Sequence, residues 1–103
     1  MEAVYLSGTE AFVTSLHPIL KHKVVVMVNM LEECGNLLGM PFSKSLGKGL
    51  FELRIMGDAH VRLFYCFHAG KAYLLHGIVK KSQKIPKKDL DFARKLQKML
   101  ASI

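Results

Sequence analysis

Residues 51–88 read FELRIMGDAHVRLFYCFHAGKAYLLHGIVKKSQKIPKK, and the alternation in this stretch decides the fold. From Leu50 to Met56, Phe51, Leu53 and Ile55 face one way and Glu52 and Arg54 the other, because successive side chains of a strand point to opposite sides. Gly57-Asp58 supplies a turn. Val61 to His68 alternates again, with Val61, Leu63, Tyr65 and Phe67 opposed to Arg62, Phe64, Cys66 and His68. Ala69-Gly70 reverses the chain into a third run, Lys71 to Lys80. This run is the most apolar and so the more central, with Leu74, His76, Ile78 and Lys80 on one face and Tyr73, Leu75 and Val79 on the other. Consecutive strands joined by short turns predict an antiparallel β-meander of three or more strands.

Downstream, Ile85-Pro86 precedes a helix. Leu90, Ala93, Leu96, Gln97 and Leu100 recur at helical spacing, and Asp89 and Asp91 fall in the first turn, where they suit the helix dipole. Upstream, Thr9 to Leu16 makes two helical turns that end before His17-Pro18, since the residue preceding proline is pushed out of the helical region. Leu20, Val24, Met27, Leu31 and Cys34 then mark a longer helix from Ile19 to Cys34, closed by Gly35-Asn36. The β-branched run Val24–Val28 also suits a buried strand, but length and the clean stop favour helix. The glycines between Gly39 and Gly49 predict a connecting loop. The plan is helix, helix, β-meander, helix: one α+β domain over residues 1–103.

Half of the residues are apolar and 22% are charged, far from the composition of a disordered chain. Cys34 and Cys66 stand far apart with no CxxC spacing, which predicts free thiols in a reducing cytosol and no metal site. Glu2 and Glu10 interrupt any secretory pattern, and Val24–Val28 is far shorter than the about 20 apolar residues that span a bilayer, so a cytoplasmic protein with no membrane partner is expected. Residues 1–50 balance four lysines against four glutamates, whereas residues 51–103 set eleven Lys and Arg against four acids, net +7. A one-sided basic field either attracts a polyanion, above all nucleic acid, or serves as a solvated face.

The runs Leu50-Phe51-Glu52-Leu53-Arg54-Ile55, Val61-Arg62-Leu63-Phe64-Tyr65 and Leu74 to Pro86 (LLHGIVKKSQKIP), in register, resemble the RelE/HigB-type toxins, most closely their phage-derived branch. The resemblance covers about half the chain closely, and LLHGxVKKxQKxP is its most distinctive part. It implies a RelE-like fold and a metal-independent, cofactor-free endoribonuclease of a toxin–antitoxin pair, cleaving mRNA, often at the ribosome. Its partner would be a tight-binding antitoxin, commonly a helix-turn-helix protein.

Metal-free RNA cleavage requires the ribose 2′-OH deprotonated, the phosphorane charge neutralised and the leaving 5′-oxygen protonated. Arg62 matches the family's strand arginine, and its planar, always-protonated fork suits phosphate oxygens. Arg54 matches the family's ELR; it either contacts phosphate or pairs with Glu52, two residues away on the same face. Lys81 and Lys84 are candidates for general acid and Lys80 for RNA binding, and the basic run continues through Lys87 and Lys88. His76 is either the general base or a satisfied core histidine; Glu52 is a second candidate base. Tyr65 stacks a nucleobase or packs in the core, and Gln83 hydrogen-bonds a base or is merely exposed. No His or Tyr follows His76, and Ile85 stands where a hydroxyl residue is expected, so relatives that use a C-terminal His or Tyr give no template here. The competing reading is a non-catalytic module of the same fold that binds RNA or a partner protein.

Overall fold

The computed structural model describes residues 1–103 apart from Asp58, Ala59 and Gln83. Its elements run β1 (Ala3–Tyr5), α1 (Ser7–Thr14), α2 (Pro18–Cys34), β2 (Ser43–Gly47), β3 (Leu50–Ile55), β4 (His60–His68), β5 (Lys71–Lys80) and α3 (Lys87–Ala101). They build an α+β fold around a sheet of order β1-β5-β4-β3-β2. The strands β2 to β5 form an antiparallel meander, and β1 joins its far edge parallel to β5. The central strand is therefore β4, and β5 is interior only because β1 covers its outer edge.

Two stretches depart from the sequence reading. Ser43–Gly47, expected to be loop, is a strand, because pairing with Leu50–Leu53 outweighs the weak strand preference of SKSLG. The three residues of β1 carry too short a pattern to register as a strand, yet Ala3, Val4 and Tyr5 stand beside Ala72, Tyr73 and Leu74. The valine-rich run resolves as helix: Pro18 opens α2, the His17 ring accepts from the Ile19 N–H, and Gly35 closes it with a positive φ of 55°. Val24, Met27, Val28 and Leu31 face the sheet while Val25 and Val26 stay exposed.

One face of the sheet packs under α1 and α2, with Leu53, Ile55, Val61, Leu63, Tyr65, Ala72 and Leu74 in its core. The other packs Leu50, Phe64, Cys66, Leu75 and Ile78 against Ala93 of α3, flanked by Leu90, Leu96 and Leu100. Burying an aliphatic or aromatic side chain contributes roughly 1.5–3 kcal/mol, so these two layers supply the main stabilisation.

The predicted alternation of β5 fails at one point. Phe64 pairs with His76 but Tyr65 pairs with Leu74, so Leu75 is an extra residue, a β-bulge. Leu74 consequently joins the α1–α2 core while His76 and Ile78 stand over the α3 face, not on one face with Leu74. The Leu74 carbonyl accepts from the Leu6 N–H at 3.2 Å and from the Thr9 hydroxyl at 2.9 Å, which anchors α1. Phe12 of α1 then lies over Gly77, where only the missing side chain leaves room. Among the described residues, no helix is long and apolar enough to cross a membrane.

Candidate nucleic-acid cleft

The α3 core ends short of one end of the sheet face. There, β3 and β4 carry Arg54 and Arg62 directly opposite each other, a like-charge pair that costs stability unless it is neutralised. Glu52, 1% exposed, supplies the counter-charge to both. Its Oε2 lies 3.5 Å from Arg54 Nε, and its Oε1 lies 3.4 Å from Arg62 Nε. These separations exceed the 2.7–2.9 Å of a charge-assisted hydrogen bond. Glu52 Oε1, Arg54 Nε and Arg62 Nε accordingly lack a hydrogen-bond partner among the described residues although buried. Burial pushes the Arg62 guanidinium below its ordinary range; Glu52 opposes that shift and Arg54 adds to it. Arg62 Nη1 donates to the Val61 carbonyl at 3.0 Å, which fixes one side of the fork.

Beside this trio opens a cleft of about 420 Å³ lined by His60, Arg62, Lys80, Lys81 and Ser82. The sheet register brings them together, since His60 pairs with Lys80 and Arg62 with Ile78. Arg54 and Arg62 share one buried carboxylate, and Lys80 and Lys81 line the cleft beside Arg62 with no acidic residue among the described residues of the lining. The local excess is positive, and the arginine forks suit the oxygens of a phosphodiester.

This basic end of the meander lies inside a family match that runs over residues 11–98, to the family described as Phage derived protein Gp49-like (DUF891). The chain belongs to that family. Gp49-like proteins are RelE/toxin-like proteins, which agrees with the architecture of two N-terminal helices, a five-stranded sheet and a C-terminal helix. No curated protein matches the chain significantly.

The other residues singled out in the Gp49-like chain divide sharply. Arg62, Lys80 and Lys81 line the cleft, and Arg54 stands opposite Arg62 on β3, with Glu52 between the two arginines. Lys84 is exposed beyond it, and Lys87 and Lys88 are exposed on the first turn of α3, where Lys87 Nζ donates to Asp91 Oδ2 at 3.2 Å. Gln83 lies outside the described residues.

Three assignments are corrected. Glu52, expected as a candidate base, does not open onto the cleft: its side chain is 2% exposed and sits between two arginines, the place of a counter-charge. Tyr65 does not line the cleft. It is 1% exposed on the opposite face, stacked on Phe51 at 5.3 Å and hydrogen-bonded to the Ser43 hydroxyl, and burial pushes its phenol up. His76 belongs to a different cleft, of about 680 Å³ between α1, β5 and α3. Its Nε2 lies 2.8 Å from Asp89 Oδ1, and its ring is stacked on Phe64 and edged by Phe92, so it ties α3 to the sheet.

His60 and Ser82 line the cleft without having been singled out. Beginning the strand at Val61 hid His60. Extending the alternation of Arg62 back by one step puts His60 on the same face, but only the pairing with Lys80 places it at the cleft.

Proposed function

We propose that this Gp49-like protein is the toxin of a type II toxin–antitoxin pair, an endoribonuclease that cleaves mRNA without a metal, at the ribosome. A helix-turn-helix antitoxin is its cognate inhibitor, as the likeness to HigB-type toxins implies. The observation that carries the reading is the meeting of Arg54 and Arg62, from neighbouring strands, on one buried carboxylate beside Lys80 and Lys81.

Such a set suits transesterification at a ribose. The 2′-oxygen attacks the adjacent phosphorus, the bond from phosphorus to the 5′-oxygen breaks, and a 2′,3′-cyclic phosphate and a 5′-hydroxyl form. Arg62 and Arg54 neutralise the charge that builds on the phosphorane. Lys81 supplies the proton to the departing 5′-oxygen. Glu52 keeps both guanidinium planes in place by their Nε sides, and Val61 holds Arg62 Nη1, which leaves Arg62 Nη2 and the outer nitrogens of Arg54 for phosphate.

A second reading, RNA binding without cleavage, draws support from the exclusion of both proposed bases, His76 and Glu52, from the cleft. Induced expression in a bacterium separates the two. The toxin stops growth and shortens transcripts, and Arg62→Ala abolishes both effects. Normal growth with intact transcripts on expression of the wild-type chain refutes the ribonuclease reading.

A further inference from the structure

We infer that His60 is the proton-transfer residue of the cleft, the group that takes the 2′-hydroxyl proton; this rests on the ribonuclease reading above. The five histidines of the chain have different fates. His17 caps α2, His22 is exposed on α2, His68 edges the Tyr73 ring and His76 is bound to Asp89. His60 is exposed at the start of β4 and lines the cleft with Arg62, Lys80, Lys81 and Ser82. Of those side-chain types, imidazole is the one whose neutral, proton-accepting form is abundant near neutral pH; ammonium and guanidinium are protonated there and have no lone pair to offer, and a serine hydroxyl is too weak a base.

The spacing fits the chemistry. His60 and Arg62 are two residues apart on one strand face, roughly 7 Å along the strand. Side chains rooted at that separation can approach one phosphodiester from two sides, the imidazole at the 2′-oxygen and the guanidinium at a non-bridging oxygen. Around His60 stand Lys80 on the paired strand, Lys81 beyond it, Arg62 on its own strand and Arg54 on β3, with the Glu52 carboxylate beneath the arginines. In the step itself, an imidazole nitrogen accepts the 2′-OH proton as the O2′–P bond forms. The P–O5′ bond breaks, its electron pair goes to O5′, and the Lys81 ammonium protonates that oxygen. Water later takes the proton from His60 and returns one to Lys81.

The test uses purified full-length chain, translating ribosomes and mRNA for cleavage, with a 2′-O-methyl RNA, which cannot be cut, for binding. His60→Gln is expected to lower the cleavage rate by about 10²–10⁴-fold, the usual contribution of a positioned proton-transfer group, while binding of the 2′-O-methyl RNA stays within about twofold. His22→Gln, on the outer face of α2, retains the wild-type rate. His60→Asn repeats the test with a smaller side chain, and unfolding midpoints of both variants show that the fold is kept. A His60→Gln protein that cleaves within about threefold of wild type overturns the assignment and leaves the ribonuclease reading standing. Parallel loss of binding and cleavage overturns it too, since His60 then only holds RNA. A wild-type chain that cuts nothing overturns the ribonuclease reading itself.

Discussion

Replacing Glu52 by glutamine removes one charge and almost no volume, and the trio at the cleft sets what this should cost. At 3.4 and 3.5 Å, each Glu52–arginine attraction is about 5 kcal/mol if the effective dielectric constant is ~20. Desolvating the carboxylate offsets several kcal/mol of that, so the net worth of the trio is much smaller than the sum of the attractions. Neutralising the carboxylate, however, leaves Arg54 and Arg62 facing each other across the strand pair with no counter-charge between them, and stranding buried charges costs about 3–5 kcal/mol. The arginine side chains remain 23% and 12% exposed and can draw in water, which places Glu52→Gln near the lower end, about 3 kcal/mol. In a chain of this size that lowers the melting temperature by roughly 12–24 °C. Urea unfolding followed by far-ultraviolet circular dichroism measures it, since the chain has no tryptophan. In the Glu52→Gln background, Arg54→Ala should cost less than in wild type, because the repulsion it relieves then has no counter-charge. A Glu52→Gln loss below about 1 kcal/mol, with Arg54→Ala equally costly in both backgrounds, would refute the positioning role.

Two further outcomes follow from the core. Burial pushes the Tyr65 phenol up, with the Ser43 hydrogen bond partly opposing, and burial with Glu32 nearby does the same to Tyr5. Below about pH 10 both phenols are neutral, folded or unfolded. Above it the unfolded chain loses protons that the folded chain keeps, so stability falls as pH rises, and Tyr65→Phe should make that fall shallower between about pH 9 and 11 in urea-midpoint measurements. Gly77→Ala puts a methyl group into the Phe12 ring and 2.9 Å from Leu63 Cδ2; overpacking of this kind should cost about 1–3 kcal/mol in the same unfolding assay and loosen α1.

Three strands and three helices were legible because their patterns are local. Phe51/Leu53/Ile55 and Val61/Leu63/Tyr65/Phe67 alternate cleanly, and the spacing from Leu20 to Leu31 is helical through a valine run that argues the other way. What escaped was set by distant pairing. Ser43–Gly47 has almost no apolar side chain to announce a strand, and Ala3–Tyr5 is fixed by a partner near residue 73. The bulge at Leu75 left no mark in the alternation, so His76 was placed on the wrong face relative to Leu74. At the site, the i, i+2 relation of Glu52 and Arg54 could be read directly, and the family's strand arginine pointed to Arg62. That Arg62 shares the same carboxylate, and that His60 faces Lys80, are matters of register between strands, which a single strand's pattern does not contain.

The parallel seam between β1 and β5 joins residues made far apart in time. Ala3 waits for Ala72, and at synthesis rates of roughly 5–20 residues per second that delay is about 3–14 s. β1 thus cannot pair until β5 exists, and α1, whose anchor is the Leu74 carbonyl, waits with it. This edge of the sheet is therefore completed only after β5 has been made, although β1 precedes every other strand in the chain.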